Sequence, residues 1–518
     1  MINLNKSVRT ASFMVTAAFL SKILGMLRDI LVANTYGTSP EAVAFSSASR
    51  IPMYFFDIGL AAAVSSVFIP VFNEFLEKED RQKALEFSNT FLNIVLLFSG
   101  IVTVLSFFGA YPIVRIIAGG LPRETFNLAV ELAKIMFPII IFAGMAFTFV
   151  GILQSYDEFN VPAAISLASN IIVILYLVFL NNRFGIYGLA FAMVAGWAAQ
   201  AIIQIPSLFK KGYKYRPVLN LQNPGIKKAG LLFLPFLVST WVQPVNAMVN
   251  IHLASWLNDG KAVVALDYAN RVYIIVVGVF TYALSNLIFP SLSRTRASEN
   301  NQQFEAIMKS SLRVVLYFIT PLMAGFIVLR EPIIRLIYER GAFDRYSTGL
   351  TATALLFYSV GMLGFAVQEI MNKAYFARQD ARTPMKVSIG GIILNFVLSV
   401  VLSRYMGLSG IALAASITAI AMAVTFVSFM RKVCKGIVNR KLLGDSVKIL
   451  IASILTGIIV NLLHTYFTQT FETSTIITKL IEVALPGSAG IVIYLTLTLI
   501  MGLEEAKLPL RFFKKDAR

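Results

Sequence analysis

Long apolar runs separated by short polar stretches dominate this sequence. An α-helix rises about 1.5 Å per residue, so roughly 20 apolar residues cross the hydrocarbon core of a bilayer. Helices are expected because lipid offers no water to unpaired backbone groups. The pattern predicts an all-α polytopic membrane protein with about 14 transmembrane helices, near residues 11–34, 44–72, 84–109, 128–153, 160–181, 185–209, 228–257, 263–290, 310–330, 347–377, 384–404, 407–431, 446–468 and 479–502.

Composition agrees with this pattern. The chain has 518 residues, of which 57% are hydrophobic and only 14% charged, and its mean hydropathy is +0.74. Soluble domains rarely have such a composition. The net charge of +18 comes from basic residues between the apolar runs, as in cytoplasmic loops of membrane proteins, so no nucleic-acid partner is expected. With Cys434 as the single cysteine, no intramolecular disulfide is possible.

The charge distribution predicts the orientation. The first apolar run follows Lys6 and Arg9 but is too long for a signal peptide and lacks a small-residue cleavage pattern. A retained first helix with a cytoplasmic N-terminus places most Lys- and Arg-rich loops on the cytoplasmic side. An even number of spans returns the C-terminus to that side. A multi-pass membrane protein with both termini cytoplasmic is therefore expected.

The chain resembles itself at an offset of about 221 residues. Residues 185–192 match 407–414, and residues 48–51, which contain Arg50, match 269–272 with Arg271. Chance similarity among apolar helices is the alternative. Parallel repeats typically enclose a substrate site and open alternately to either side of the membrane. The predicted organisation is two pseudo-symmetric six-helix lobes, residues 1–215 and 216–435, followed by two additional helices and a basic cytoplasmic tail, residues 436–518.

Several charged residues lie inside predicted spans. The first span carries Lys22, Arg28 and Asp29. A charge near the bilayer centre costs at least about 2.5–3.5 kcal/mol, so it normally faces a water-filled cavity or a partner. Snorkelling of Lys22 or Arg28 to the interface is the alternative. Lys22 and Asp29 are seven residues apart, which places them on one helix face and favours a helix that lines a polar cavity.

The second helix of each predicted lobe adds further charges. Arg50 and Asp57 are seven residues apart, and Asp267 and Arg271 form an i,i+4 pair that a local ion pair would explain. A guanidinium stays charged in any pocket and its planar fork fits phosphate oxygens. Arginines 28, 50 and 271 are therefore candidates for a phosphate clamp, and the cavity favours an anion. The candidate substrate-binding residues are Lys22, Arg28, Asp29, Arg50, Asp57 and Arg271.

The sequence carries no enzyme signature. It contains no GxGxxG at a strand–helix junction, no P-loop and no HExxH motif. A transporter that needs no cofactor and no metal is expected, rather than an enzyme.

Four segments resemble a known family. Residues 24–29, LGMLRD, are similar to the LGxxRD of the first helix of the MurJ/MviN lipid II flippases, and residues 268–271, YANR, to their YAxR. Residues 332–343, PIIRLIYERGAF, resemble PIIRLLYERGAF, and residues 374–384, AYFARQDARTP, resemble FYARQDxxTP. The family belongs to the multidrug/oligosaccharidyl-lipid/polysaccharide exporters, for which two six-helix lobes and two extra helices are expected.

The resemblance implies transfer of lipid II, an undecaprenyl-pyrophosphate-linked muropeptide, from the inner to the outer leaflet of a bacterial cytoplasmic membrane. It marks Arg28, Asp29 and Arg271 as cavity residues and places Lys22 where the family has an arginine. The chain departs from the family in its second helix, which has Asp57 but no RxxxxEGA segment, and Arg50 is a hypothetical replacement. At places where some relatives hold a cation with aspartates, this chain has Asn250, Asn395 and Ser399, so no sodium site is expected.

Three other functions stay open. One is a flippase for another lipid-linked oligosaccharide, which requires the same cationic chemistry. Another is a cation-coupled multidrug exporter, which would depend on buried carboxylates. The third is a membrane scaffold whose charges only hold helices together. Expected partners are lipid II and membrane lipids, and the protein is expected to act as a monomer.

Overall fold

The protein is almost entirely helical. A computed structural model describes residues 4–59, 67–78, 81–230, 242–297, 300–380, 382–434, 436–470 and 475–507, and these ranges contain no β-strand. The helices are α1 Leu4–Tyr36, α2 Pro40–Gly59, α3 Ile69–Glu77, α4 Arg81–Phe108, α5 Ala110–Ala118, α6 Arg123–Met136, α7 Ile139–Ser155, α8 Asn160–Leu175, α9 Asn181–Ile202, α10 Ile205–Lys210, α11 Val242–Ser255, α12 Lys261–Ala297, α13 Asn301–Val328, α14 Arg330–Tyr338, α15 Arg345–Val360, α16 Met362–Ala377, α17 Arg382–Met406, α18 Leu408–Val433, α19 Arg440–Thr470 and α20 Ile476–Ile500.

Many of these helices can cross a bilayer. Within the described ranges, eight helical segments are long and apolar enough to span, and a ninth forms if α15 and α16, bent by 49°, count as one. One of the eight, Asn160–Lys210, is 51 residues long and contains two of the predicted spans. The polytopic all-helical class is confirmed. The number of 14 spans stays a prediction, and residues 60–66 and 231–241 of the predicted spans lie outside the described residues.

The chain forms two compact units. Unit 1 comprises residues 1–264 and 340–343, and unit 2 comprises residues 265–339 and 344–518. In unit 1, α1 packs along α8 and α2 packs along α6. Stacked phenylalanines, among them Phe68 and Phe87 with ring centroids 5.4 Å apart, join the start of α3 to α4. The predicted six-helix lobes, with a boundary near residue 215, stay a prediction.

Unit 2 carries the last two helices on α13. Tyr317 of α13 and Tyr494 of α20 are both buried, and the Tyr494 hydroxyl donates to the Tyr317 carbonyl over 2.7 Å. The Tyr317 hydroxyl lies 3.0 Å from Thr498 Oγ1. Ile449 and Ala452 of α19 complete this core. The C-terminal hairpin is thus an integral part of unit 2.

One pair of glycines has the backbone conformation that the predicted repeat requires. Gly185 has φ 53° and ψ −145°, and Gly407 has φ 56° and ψ −132°. An L-residue rarely adopts this region, whereas glycine has no Cβ to clash. Gly185 forms a kink inside α9, and Gly407 precedes the first residue of α18. The same local geometry therefore occurs at both copies of the motif.

Candidate functional site

Arg28 and Asp29, neighbours on α1, form an ion pair. Arg28 Nε and Nη2 lie 3.1 and 2.9 Å from Asp29 Oδ1. The two side chains are 24% and 14% exposed, so both are largely withdrawn from the surface. A charge-assisted contact between withdrawn groups is stronger than one in water. The sequence placed both residues at the site, and the structure joins them directly.

A third residue, which the sequence analysis missed, holds Arg28 from the other side. Asn170 of α8 accepts a hydrogen bond from Arg28 Nη1 at Oδ1, over 3.1 Å. Its own Nδ2 donates to the Ser21 carbonyl over 3.2 Å. Asn170 is only 6% exposed, and a buried amide is costly unless it is paired. The signal in the sequence is an amide in the middle of an apolar run, and its partner Arg28 lies 142 residues away, so no spacing rule links the two.

This arrangement leaves Arg28 with donors to spare. A guanidinium has five N–H groups. Three of them point at Asp29 and Asn170 in the contacts above. Within the described ranges, neither terminal nitrogen has a second acceptor at hydrogen-bond distance, and guanidinium N–H groups fit phosphate oxygens. Lys22, two turns earlier on α1, has an exposed side chain.

The second helix, α2, carries the candidate residues Arg50 and Asp57. Arg50 lies on α2 between the buried residues Ala48 and Ile51, and its side chain is partly exposed. Asp57 belongs to the same helix, but its side chain lies outside the described residues. The predicted pairing of Arg50 and Asp57 on one helix face therefore stays a prediction.

In unit 2, Arg271 forms the local pair that its spacing allowed. Its Nη2 lies 3.0 Å from Asp267 Oδ2 and its Nε lies 3.3 Å from Oδ1, a two-point contact one turn along α12. Tyr268 stacks on Tyr338 of α14 with centroids 4.7 Å apart. Tyr273 lies 5.9 Å from the ring of Tyr358. Aromatic packing on both sides fixes this part of α12.

The sites considered for a cation contain no metal-binding cluster. Among the residues that the structure describes, no three His, Cys, Asp or Glu side chains converge on one point. Asn395 and Ser399 are buried on α17, where the Ser399 hydroxyl donates to Asn395 Oδ1 over 3.3 Å. Asn250, the third residue considered for a cation, belongs to unit 1, whereas Asn395 and Ser399 belong to unit 2.

The motif at residues 332–343 has two structural roles. Arg335 Nη1 of α14 lies 3.2 Å from Glu482 Oε1 of α20, within unit 2. The last four residues of the motif, 340–343, belong to unit 1. There the Ala342 amide donates to the Asn34 carbonyl at the end of α1 over 2.8 Å. Within unit 2 the motif thus contacts the C-terminal hairpin, and within unit 1 its last residues contact the end of α1.

Comparisons with known proteins agree with these features. A solved structure of a lipid II flippase MurJ in an inward closed conformation matches with a TM-score of 0.80 and 26% identity, over 94% of this chain and 98% of that chain. An inward-facing multidrug resistance MATE family transporter of the MOP superfamily has a TM-score of 0.67 at 14% identity, covering 82% of this chain and 98% of its own. That second likeness shows the fold alone.

Relatives identified by sequence belong to the same family as the first of these solved structures. The probable lipid II flippase MurJ of Vibrio cholerae serotype O1 is 30% identical over 432 residues, which are 81% of this chain and 82% of the relative. The sequence profile of the family described as lipid II flippase MurJ matches residues 32–482. Because that match covers most of the chain, the protein belongs to the lipid II flippase MurJ family.

Proposed function

We propose that this protein transfers lipid II from the inner to the outer leaflet of a bacterial cytoplasmic membrane. The family and the named relatives support this substrate. The observation that carries the chemistry is Arg28, which is held by Asp29 and Asn170 with two N–H groups to spare. A pyrophosphate bears several charges and cannot cross hydrocarbon unaided. Arginine N–H groups replace its water while the polyprenyl chain stays in lipid.

The proposal assigns the cationic transport route to Lys22, Arg28, Asp29, Arg50, Asp57 and Arg271. Each predicted lobe contributes at least one arginine, and alternating access of repeated lobes carries the headgroup across. Both termini are cytoplasmic in this scheme, and the functional unit is a monomer among membrane lipids. Moving a charge across the membrane potential is worth about 2.3 kcal/mol per 100 mV, so the potential biases transport of the anion.

Complementation tests the proposal. A bacterium depleted of its native flippase receives this protein or its Arg28→Ala, Arg50→Ala or Arg271→Ala variant, at matched membrane levels. Growth and lipid II exposure on the outer leaflet are measured. Wild-type rescue is expected, with loss in the Arg28→Ala and Arg271→Ala variants. Arg404→Ala removes an exposed arginine near the end of α17 and should rescue fully.

Other outcomes point to other functions. Failure of a well-expressed wild type would indicate a different lipid-linked oligosaccharide. Rescue by an Arg28→Ala/Arg271→Ala double variant would exclude the phosphate clamp and favour a scaffold role. Full activity of the arginine variants combined with loss on neutralising a buried carboxylate would favour a cation-coupled exporter.

A further inference from the structure

Residues 213–220, which form neither helix nor strand, lie against α4 at Asn89 and Asn93. We call this segment the strap. Asn89 Nδ2 donates to the Lys214 carbonyl over 3.0 Å. Asn93 Nδ2 donates to the carbonyls of Arg216 and Val218 over 3.2 and 2.8 Å. Two asparagines one turn apart on α4 thus pair the backbone of a segment that has no secondary structure of its own.

The strap turns its aromatic and basic side chains in opposite directions. The Tyr213 and Tyr215 hydroxyls donate to Asn89 Oδ1 and Asn93 Oδ1 over 2.7 and 2.8 Å. Burial raises the pKa of Tyr213, so it remains a neutral donor. Lys214 and Arg216 alternate with the two tyrosines that bind α4, and both are exposed, which indicates that they face away from α4.

The outward cations are not neutralised by the protein. Lys210, Lys214 and Arg216 are exposed, and within the described residues no carboxylate lies at ion-pair distance from them. The nearby Glu86 accepts a hydrogen bond from Asn220 Nδ2 over 2.6 Å instead. The neighbouring Lys211 donates to the Tyr156 carbonyl over 2.9 Å. Among the residues that the structure describes, these cations form a positive surface without a carboxylate partner.

Apolar side chains flank these cations and indicate an interface with lipid. Phe209, Tyr215, Leu219 and Leu221 are all more than half exposed. The 28 residues of α4 extend about 42 Å, whereas the hydrocarbon core is about 30 Å thick. If the apolar C-terminal part of α4 fills the core, the first two turns of α4 lie at headgroup level, and the strap, bound at Asn89 and Asn93, lies where the headgroups meet the core. Mixed aromatic, aliphatic and basic side chains are typical of that zone.

We propose that the strap and Lys210 form a docking surface for anionic phospholipid headgroups. The leaflet is the one at which α4 begins, which is the cytoplasmic leaflet in the orientation given above. Lys210, Lys214 and Arg216 contact lipid phosphates, and the apolar neighbours insert among the acyl chains. This surface is separate from the Arg28 site and does not depend on the identity of the transported lipid.

Lipid binding to the purified full-length protein tests the proposal. Detergent-solubilised protein is titrated with phosphatidylglycerol or phosphatidylcholine, and bound lipid is counted by native mass spectrometry. The variant Lys214→Gln/Arg216→Gln should bind phosphatidylglycerol about tenfold or more weakly, because each surface cation contributes attraction to anionic lipid. Phosphatidylcholine binding should not change. Unchanged phosphatidylglycerol binding in this variant would overturn the proposal.

Two further variants separate a built surface from overall charge. Arg431→Gln/Lys432→Gln removes two exposed charges at the end of α18 and should have little effect. Asn93→Ala keeps every charge but releases two strap carbonyls, and it should weaken phosphatidylglycerol binding at least about threefold. Equal losses in both charge variants, or no loss in Asn93→Ala, would reduce the effect to bulk attraction and refute the docking surface. Full competition by inorganic phosphate would show that a soluble anion, rather than lipid, is recognised.

Discussion

Asn170 accepts a hydrogen bond from Arg28, with 3.1 Å between Oδ1 and Nη1, although 142 residues separate them in the chain. The same amide donates to the Ser21 carbonyl. Asn170 therefore fixes the guanidinium to the backbone of its own helix, about two turns earlier. Arg28 is thus oriented before any ligand arrives, which lowers the cost of binding an anion.

Asn170→Leu should lower lipid II flipping about tenfold without removing any charge. A hydrogen bond to a charged group is worth about 1.5–3 kcal/mol, and a loss of about 1.4 kcal/mol is a tenfold change. Flipping is measured in cells or proteoliposomes at matched protein levels. Ser166→Ala is the matched control on α8, because its hydroxyl lies 3.5 Å from Ser21 Oγ, at the limit of a hydrogen bond. Equal activities of the two variants would contradict a positioning role for Asn170.

A positive charge without a planar guanidinium should not replace Arg28 or Arg271 in lipid II flipping. Arg28→Lys and Arg271→Lys keep the positive charge but lose the planar fork, and each should retain only a minor part of wild-type flipping. In contrast, Lys22→Arg should be fully active, because the substitution keeps the positive charge and the Lys22 side chain is exposed. The same flipping assay ranks the three variants. Full activity of both lysine variants would show that a point charge suffices and that two-point phosphate binding is not used.

The sequence predicted contacts between residues close in the chain but not contacts between residues far apart in it. Apolar run lengths predicted the helical class, and the charges inside the first span marked Lys22, Arg28 and Asp29 as candidate site residues. Asn170 and Glu482 lie far along the chain from the arginines that they contact, and no spacing rule links them. The i,i+4 spacing of Asp267 and Arg271 allowed a local pair, and that pair forms. Local patterns predicted elements and local pairs, whereas tertiary packing determined the remaining partners.

Asp380 gives the ARQD motif a structural role as a helix cap. Its Oδ1 accepts from the amides of Arg382 and Thr383 over 3.1 and 3.0 Å, and its Oδ2 accepts from Thr383 Oγ1 over 2.7 Å. Burial opposes ionisation of Asp380, but these hydrogen bonds and the nearby Arg378 lower its pKa overall. Asp380→Ala should therefore destabilise the start of α17 by about 1 kcal/mol.

This cost should depend on pH. Because the pKa of Asp380 is lower in the folded protein, its contribution is complete above the unfolded value of about 3.9 and disappears as the pH falls through the folded value. Unfolding in mixed micelles between pH 7 and pH 3 measures the difference between wild type and Asp380→Ala. Asn439→Ala removes an uncharged cap, whose Oδ1 accepts from the Leu442 amide over 2.7 Å. A pH-independent cost for Asp380→Ala, like that expected for Asn439→Ala, would contradict an ionised cap.

The pair of Arg335 and Glu482 should dominate the attachment of α20 to α14. Glu482 is 3% exposed, so removing it leaves Arg335 without its most buried partner. Loss of one member of a buried ion pair typically costs about 3–5 kcal/mol. Arg335 also contacts Glu331 and Glu339 at 3.0 and 3.8 Å. We therefore expect Glu482→Leu to lower the free energy of unfolding by about 3 kcal/mol, at the low end of that range.

Two variants show whether burial is the reason. Glu331→Ala removes a partner that is 48% exposed, and its cost should stay below about 1 kcal/mol because solvent screens the pair. Arg335→Leu/Glu482→Leu removes both charges and should recover part of the loss, since no buried charge remains unpaired. Unfolding of the purified variants in mixed micelles provides all three values. If Glu331→Ala were as costly as Glu482→Leu, the attachment would depend on the number of carboxylates around Arg335 rather than on their burial.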